Sequence, residues 1–138
     1  MNYDAVSAVL AVHLLAFAGW TGFLAGYLLI GPPALRLLRW CLMIMPVSLL
    51  SGWGLALVQY GGPAGWPRAI NAMQTAGLAM AIVLLIAWFG GVLLVRDAES
   101  AADPLAMAVA VRRLTRLVAV DVLLGVLILG FAVLGRFG

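Results

Sequence analysis

Charged residues are scarce in this chain, and their scarcity excludes a water-soluble fold. Only 9% of the 138 residues are charged and 66% are hydrophobic. Soluble domains carry roughly 25% charged and roughly 45–50% apolar residues. A chain of this composition cannot hide its apolar surface from water, so we expect lipid to be its solvent. The length suits a single domain, residues 1–138.

Lysine is absent and cysteine occurs only once, and this composition excludes several kinds of partner and metal site. The net charge of +3 comes from eight arginines and five acids. Because no basic cluster with interleaved aromatic residues is present, we expect no nucleic-acid partner. The single Cys41 excludes an internal disulfide and any metal site built from several cysteines. No basic residue precedes the first apolar run, so we expect no cleaved signal peptide.

Long apolar runs dominate what is present. A helix needs about 20 apolar residues to cross a bilayer, and lipid requires that its backbone polar groups be paired within the segment. Gly31-Pro32-Pro33 and the stretch GGPAGWP interrupt the runs. The sequence predicts an all-α integral membrane four-helix bundle with spans at residues 6–30, 40–60, 69–95 and 117–134.

Arginines are distributed unevenly around these spans. Because positive residues favour the cytoplasmic side, the more basic side identifies the cytoplasm. We therefore expect both termini on the outer, periplasmic side of a bacterial inner membrane and a cytoplasmic connection at residues 96–116. Tyr27 is expected near the inner interface. Six arginines lie on the inner side (Arg36, Arg39, Arg96, Arg112, Arg113, Arg116) and two on the outer side (Arg68, Arg136).

Small residues recur within the spans at helical spacing. In lipid, helices associate largely through close packing at such residues. We expect close neighbours at Gly22, Gly26, Gly77 and Gly125, either within the chain or in a second subunit. Asp103 followed by Pro104 is a good helix start, so we expect a helix from Pro104 into the fourth span.

A few polar side chains lie at membrane depth near the outer side. His13 in the first span is level with Asn71, Met73 and Gln74 at the start of the third. One hypothesis is that His13 and Met73 bind copper, or a haem iron, with Asn71 and Gln74 as neighbours. The other is a histidine held by hydrogen bonds to Gln74, Asn71 or a serine.

Asp121 is the acidic residue inside a span, near the inner side. A carboxylate in hydrocarbon must be paired, protonated or hydrated. We expect an intramembrane ion pair with Arg116, with Arg113 and Arg39 as alternatives. A proton or ion step is the functional reading of this residue. The chain shows no Ser-His-Asp set and no phosphate-binding glycine loop, so we expect no enzyme activity.

Several segments together resemble the short four-span members of the bacterial copper resistance protein D (CopD) family. They are HLLAFAGWTGFLAGYLLIGPPA, LLSGWGLALVQYGG, NAMQTAGLAM and RRLTRLVAVDVLLGVLILGFAVLGR. The resemblance implies an inner-membrane protein that handles or transports copper. Relatives tend to carry histidine at the position of Asn71, so a site of two histidines would be half missing here, while His13 is retained.

The chain is also similar to HemJ-type protoporphyrinogen oxidases in size, in MIMPVSLLSGWGL and in a histidine in its first span. That family uses a lysine early in the third span, which this chain lacks. Three hypotheses therefore stand: a CopD-like copper protein, a non-catalytic accessory subunit of a larger membrane complex or homo-oligomer, and a protein linked to haem b or porphyrin.

Overall fold

Five α-helices make up nearly the whole computed structural model, which describes residues 2–137. Met1, Gly138 and the side chains of Arg136 and Phe137 lie outside the described part, so the outer position assigned to Arg136 does too. No strand occurs among the described residues. The helices are α1 Tyr3–Ile30, α2 Leu35–Tyr60, α3 Arg68–Ala87, α4 Leu93–Ser100 and α5 Pro104–Phe137.

These helices form four segments that are long and apolar enough to cross a membrane, as the sequence predicts. The segments are Tyr3–Ile30, Pro32–Tyr60, Arg68–Ser100 and Pro104–Gly135. The all-helical fold is therefore compatible with a membrane four-helix bundle. Gly31 and Gly61, with φ of 86° and 74°, end α1 and α2 in a backbone conformation that suits glycine.

Polar side chains fix two of the helix starts. The Asn2 side chain accepts a hydrogen bond from the Ala5 amide at 2.8 Å and caps α1. The Asp103 carboxylate accepts from the amides of Leu105 and Ala106, each at 3.1 Å, and caps α5. Each bond satisfies an amide that has no partner within its helix. The predicted helix start at Pro104 is confirmed.

Residues 96–116, the predicted connection between the third and fourth spans, are almost entirely helical, and only residues 101–103 separate α4 from α5. The third segment continues to Ser100 through a π-helical turn at Trp88–Val92. This turn inserts extra residues into the helical repeat and lets Val95 and Ala98 face the core. The Arg96 guanidinium lies 5.4 Å from the centre of the Trp88 ring.

The helices pack as two hairpins. The first hairpin pairs α1 with α2, and the second pairs α3 and α4 with α5; contacts within each hairpin exceed those between them. Gly19 faces Ile44 and Gly26 faces Leu37, so α1 and α2 are antiparallel. Met80 faces Gly125, and Ala69 faces Gly135, so α3 and α5 are antiparallel as well.

This topology gives the bundle two distinct ends. We call the end where α1 begins and α5 finishes the terminal end. We call the opposite end, where α1 finishes and α5 begins, the arginine end. Six of the seven arginines whose side chains are described lie toward the arginine end of their helices: Arg36, Arg39, Arg96, Arg112, Arg113 and Arg116.

Three of the four predicted packing glycines contact a neighbouring helix. A Cβ atom at Gly125 would lie 2.9 Å from Thr21 Cγ2, one at Gly26 would lie 3.1 Å from Leu37 Cδ1, and one at Gly77 would lie 3.8 Å from Leu49 Cδ2. Gly22 is exposed, and a Cβ there would meet nothing within 4 Å among the described residues. The Gly22–Gly26 motif therefore packs through Gly26 alone.

Candidate functional site

His13 lies half-buried between α1 and α2 in the terminal half of the bundle. Its Nδ1 is 3.0 Å from the Ser48 carbonyl oxygen and 3.1 Å from Ser51 Oγ. A carbonyl oxygen only accepts hydrogen bonds, so Nδ1 must carry the hydrogen and donate it. In a neutral imidazole this leaves Nε2 as the ring atom with the free lone pair.

Ser51 completes the support of the imidazole. Its hydroxyl donates to the Val47 carbonyl at 2.6 Å and lies 3.1 Å from the Ser48 carbonyl. The hydroxyl hydrogen is thereby used on α2, and the oxygen lone pairs are available to Nδ1 of His13. A ligating histidine normally has its other ring nitrogen held in this way by a carbonyl or a hydroxyl, which fixes the ring orientation.

Gly52 makes room for the ring. A Cβ at this position would lie 2.7 Å from Cε1 of His13, closer than real Cβ atoms approach, and 3.3 Å from Nδ1, which is a tight contact. Any larger residue at position 52 must push the imidazole away from α2. The sequence does not single out Gly52. Its pairing with His13 depends on the register of two helices, which periodicity does not supply.

Met73 and Gln74 line the same cavity as His13. The cavity has a volume of about 100 Å³, and its wall also includes Trp20, Ser48 and residues of α5 such as Ile128. Gln74 donates from Nε2 to the Gly52 carbonyl at 3.2 Å, so its oxygen is free of that bond. The structure therefore brings three of the four predicted site residues together.

Asn71 does not line this cavity. Its side-chain amide donates to the Trp66 carbonyl at 3.2 Å, in the connection that precedes α3. Trp66 in turn donates to the Gly61 carbonyl at 2.8 Å and packs edge-to-face on Trp53, with ring centres 5.2 Å apart. Asn71 thus fastens the start of α3 to the loop. We did not predict this structural role of the Asn71 side chain.

Asp121 lies in the other half of the bundle and does not form the predicted ion pair. The residue is 1% exposed, and neither carboxyl oxygen has a hydrogen-bond partner among residues 2–137. Arg116 is exposed and lines a surface groove with Arg112 and Arg113. Five residues along a helix correspond to a turn of roughly 140°, so Asp121 and Arg116 point to different sides of α5.

The sequence did not predict a core position for two further residues of this half. Tyr27, expected at the interface, is fully buried at the arginine end of α1, and Trp20 is buried two turns away. Aromatic residues near the end of a span are ordinarily interfacial, so the sequence carried no signal for a core position.

Comparisons with known proteins identify no relationship for this chain. No protein-family model, curated protein or solved structure matches the chain. The similarity to CopD-type and HemJ-type proteins stays a prediction from the sequence, and the function has to be argued from the site itself.

Proposed function

We propose that this chain is a multi-pass membrane protein of the bacterial inner membrane that binds copper(I) as its cargo and carries out no chemical reaction of its own. The observation that carries the proposal is the His13 side chain, whose Nδ1 is fixed by the Ser48 carbonyl while the ring lines a cavity shared with Met73. The resemblance to the CopD family points the same way.

The donor atoms of the cavity suit a soft monovalent ion. Imidazole nitrogen and thioether sulfur both bind copper(I), whereas Mg²⁺ and Ca²⁺ prefer oxygen ligands. Among the described residues there is no group of three or more His, Cys, Asp or Glu side chains that could hold a metal ion. A site of His13 and Met73, with the Gln74 amide oxygen beside them, therefore favours copper(I) at low coordination number.

The arginine distribution supports a direction for the bundle. Because cytoplasmic ends of membrane proteins are rich in Arg, we assign the arginine end to the cytoplasm and the terminal end to the periplasm. His13 follows ten residues after Tyr3, the first residue of α1, which places it roughly 15 Å along the helix axis from that end. The cavity would then lie on the periplasmic side of the membrane.

Haem b and porphyrin fit the cavity less well. Pockets for organic ligands typically enclose about 300–1,000 Å³. The cavity beside His13 measures about 100 Å³, which suits an ion or a few atoms. An absorption spectrum of the purified protein tests this directly: a Soret band at one haem per chain would contradict the copper proposal.

The test is a copper(I) titration of the protein purified in mild detergent, under reducing conditions and against a competing chelator. We expect binding at about one ion per chain. His13→Ala should weaken the binding at least about tenfold, which corresponds to about 1.4 kcal/mol. Elemental analysis of the same preparations checks the stoichiometry.

Methionine supplies a matched control. Met73 lines the cavity, whereas Met80 is fully buried and is not part of the cavity wall. Met73→Leu should lower copper affinity, while Met80→Leu, which has the same change of volume and chemistry, should leave it unchanged. Equal effects of the two substitutions, or full binding by His13→Ala, would contradict a site at this place.

A second candidate function is a non-catalytic accessory subunit of a larger membrane complex. The open surfaces at Gly22 on α1 and Gly54 on α2, where a Cβ would meet nothing within 4 Å among the described residues, favour it. In membranes such small-residue surfaces admit a close neighbouring helix. Stoichiometric co-purification of other subunits, lost in Gly22→Leu, together with a metal-free protein, would favour this function over copper binding.

A further inference from the structure

The arginine half of the bundle contains a buried polar group that the copper proposal does not use. Asp121 is 1% exposed and its two oxygens lack hydrogen-bond partners in the described chain. Burying an unpaired carboxylate is costly enough that buried charges are normally paired, coordinated or neutralised. An Asp at membrane depth is therefore a functional-site hypothesis by default.

Other buried polar atoms surround the level of Asp121. The indole Nε1 of Trp20 and the hydroxyl of Tyr27 are also buried without a hydrogen-bond partner in the described chain. Trp20 and Tyr27 are seven residues apart on α1, which is two turns, so both side chains project from the same face. Three buried side chains with unused hydrogen-bonding capacity are unusual, because buried polar groups are nearly always paired.

Helix packing fixes the height of Asp121 between these two aromatic residues. Gly125 on α5 packs against Thr21 on α1, and the two helices run in opposite directions. Asp121 lies one turn from Gly125 toward the arginine end, which is about 6 Å along the axis. It is therefore level with the turn of α1 that lies between Trp20 and Tyr27.

Among the described residues, the side chains that face Asp121 from the neighbouring helices are not positively charged. From α1 come Trp20 and Tyr27, and from α2 comes Cys41, whose thiol donates to the Trp20 carbonyl at 3.5 Å and lies near the Asp121 carboxyl. The buried residues of α3 and α4 facing the core are apolar: Met80, Ala81, Leu84, Ala87, Val95 and Ala98. Arg113 and Arg116 are on the exposed side of α5.

We propose that Asp121 is a proton-binding group inside the bundle, and that its carboxyl group carries a proton at neutral pH. A proton is the one cation that needs no set of ligands, and the chemistry is an acid–base step in which hydronium gives its proton to the carboxylate. Trp20 also lines the His13 cavity, so the two places adjoin, but proton binding at Asp121 does not depend on copper.

Infrared spectroscopy of the full-length protein in detergent at neutral pH tests the proposal. The sequence has five acidic residues, and the other four, Asp4, Asp97, Glu99 and Asp103, are exposed. We expect a C=O stretching band of a protonated carboxylic acid that is lost in Asp121→Asn and kept in Asp103→Asn.

Several outcomes would overturn the proposal. A spectrum with carboxylate bands only, or an acid band that survives Asp121→Asn, would show that Asp121 carries no proton. If Asp121→Asn fails to fold, NMR of the wild-type protein labelled with ¹³C at the aspartate carboxyls decides the question. We expect one of four signals at the position of the protonated acid, and four carboxylate signals would sink the idea.

Discussion

The two halves of the bundle treat buried polar groups differently. In the terminal half, His13, Ser51 and Gln74 all have hydrogen-bond partners, and the bonds join α1 to α2 and the first hairpin to the second. In the arginine half, Trp20, Tyr27 and Asp121 are more deeply buried, and their polar atoms have no partner within the described chain.

This difference follows from how closely the helices pack. The terminal half encloses a cavity, and Gly52 lets an imidazole reach the backbone of α2. The arginine half is filled by large side chains, among them Trp20, Tyr27, Leu38 and Leu114, that leave little room for side-chain bonds. A polar group in a tightly packed, apolar region costs most when it is unpaired. This contrast is the basis of the two proposals, an ion in the cavity of the terminal half and a proton on Asp121 in the arginine half.

The largest effect should come from the layer between the two halves, where Gly125 meets Thr21 and Met80. Gly125→Val should destabilise the bundle by about 3 kcal/mol, because a side chain there forces α5 away from α1 and α3. Thermal unfolding in detergent, followed by circular dichroism, measures the loss. Gly130→Val is the control on the same helix, where a Cβ meets nothing within 4 Å among described residues. Equal melting temperatures for both variants would contradict the packing.

A change confined to the terminal half should cost less. Gly52→Ala places a methyl group 2.7 Å from the His13 ring and should lower stability by about 1–3 kcal/mol while displacing the imidazole. Copper affinity should fall along with the melting temperature. Gly54→Ala, on the same helix with open space around it, should keep both values or raise stability slightly. A Gly52→Ala protein with wild-type copper affinity would break the link between this glycine and the site.

In the arginine half, the sign of the stability change caused by Asp121→Leu distinguishes two explanations of the buried carboxyl group. If the carboxylic acid of Asp121 hydrogen-bonds within the bundle, Asp121→Leu leaves its partner unpaired and lowers stability by about 1–2 kcal/mol. Asp121→Asn, which keeps an acceptor and adds a donor, should change it less. If the Asp121 carboxyl made no hydrogen bond and only destabilised the fold, Asp121→Leu would instead raise the melting temperature. The contrast between the two halves would then need another explanation.

The smallest effect is expected at Asn71, the position where the resemblance to the CopD family predicts a histidine. Because the Asn71 side chain donates to the Trp66 carbonyl and does not line the His13 cavity, Asn71→His should not complete a site of two histidines. We expect copper(I) affinity to change by less than about threefold, or about 0.7 kcal/mol. A tenfold tighter site in the titration would place residue 71 beside His13 after all.

Hydropathy and turn residues predicted the coarse architecture because each acts locally. Gly31-Pro32-Pro33 ends α1, and Asp103 with Pro104 begins α5, as expected from backbone conformation and capping. The helices extend beyond the predicted apolar runs, since flanking residues such as Leu35 or Arg68 continue the hydrogen-bonded repeat. The π-helical turn at Trp88–Val92 was not predicted, because it reflects packing between helices and has no distinct local sequence pattern.

The candidate site was predictable only in part, for the same physical reason. Depth along a span placed His13, Met73 and Gln74 in one layer, and they do line one cavity. Rotation about each helix axis decides the partners, however, and it sends Asn71 to the loop and Asp121 away from Arg116. The partner of His13 Nδ1 is a backbone carbonyl, and because every residue has one, the sequence does not reveal this partner.

The arrangement in two hairpins has a consequence for how the protein is made. Each long helix finds its main partner in the next long helix of the chain, α2 for α1 and α5 for α3. Once the chain has been synthesised as far as Tyr60, both helices of the first hairpin are present, and α3 has not yet been made. Contacts between near neighbours in sequence form fast. The His13–Ser48 bond belongs to that first hairpin, so half of the candidate site is assembled while the chain is still being synthesised.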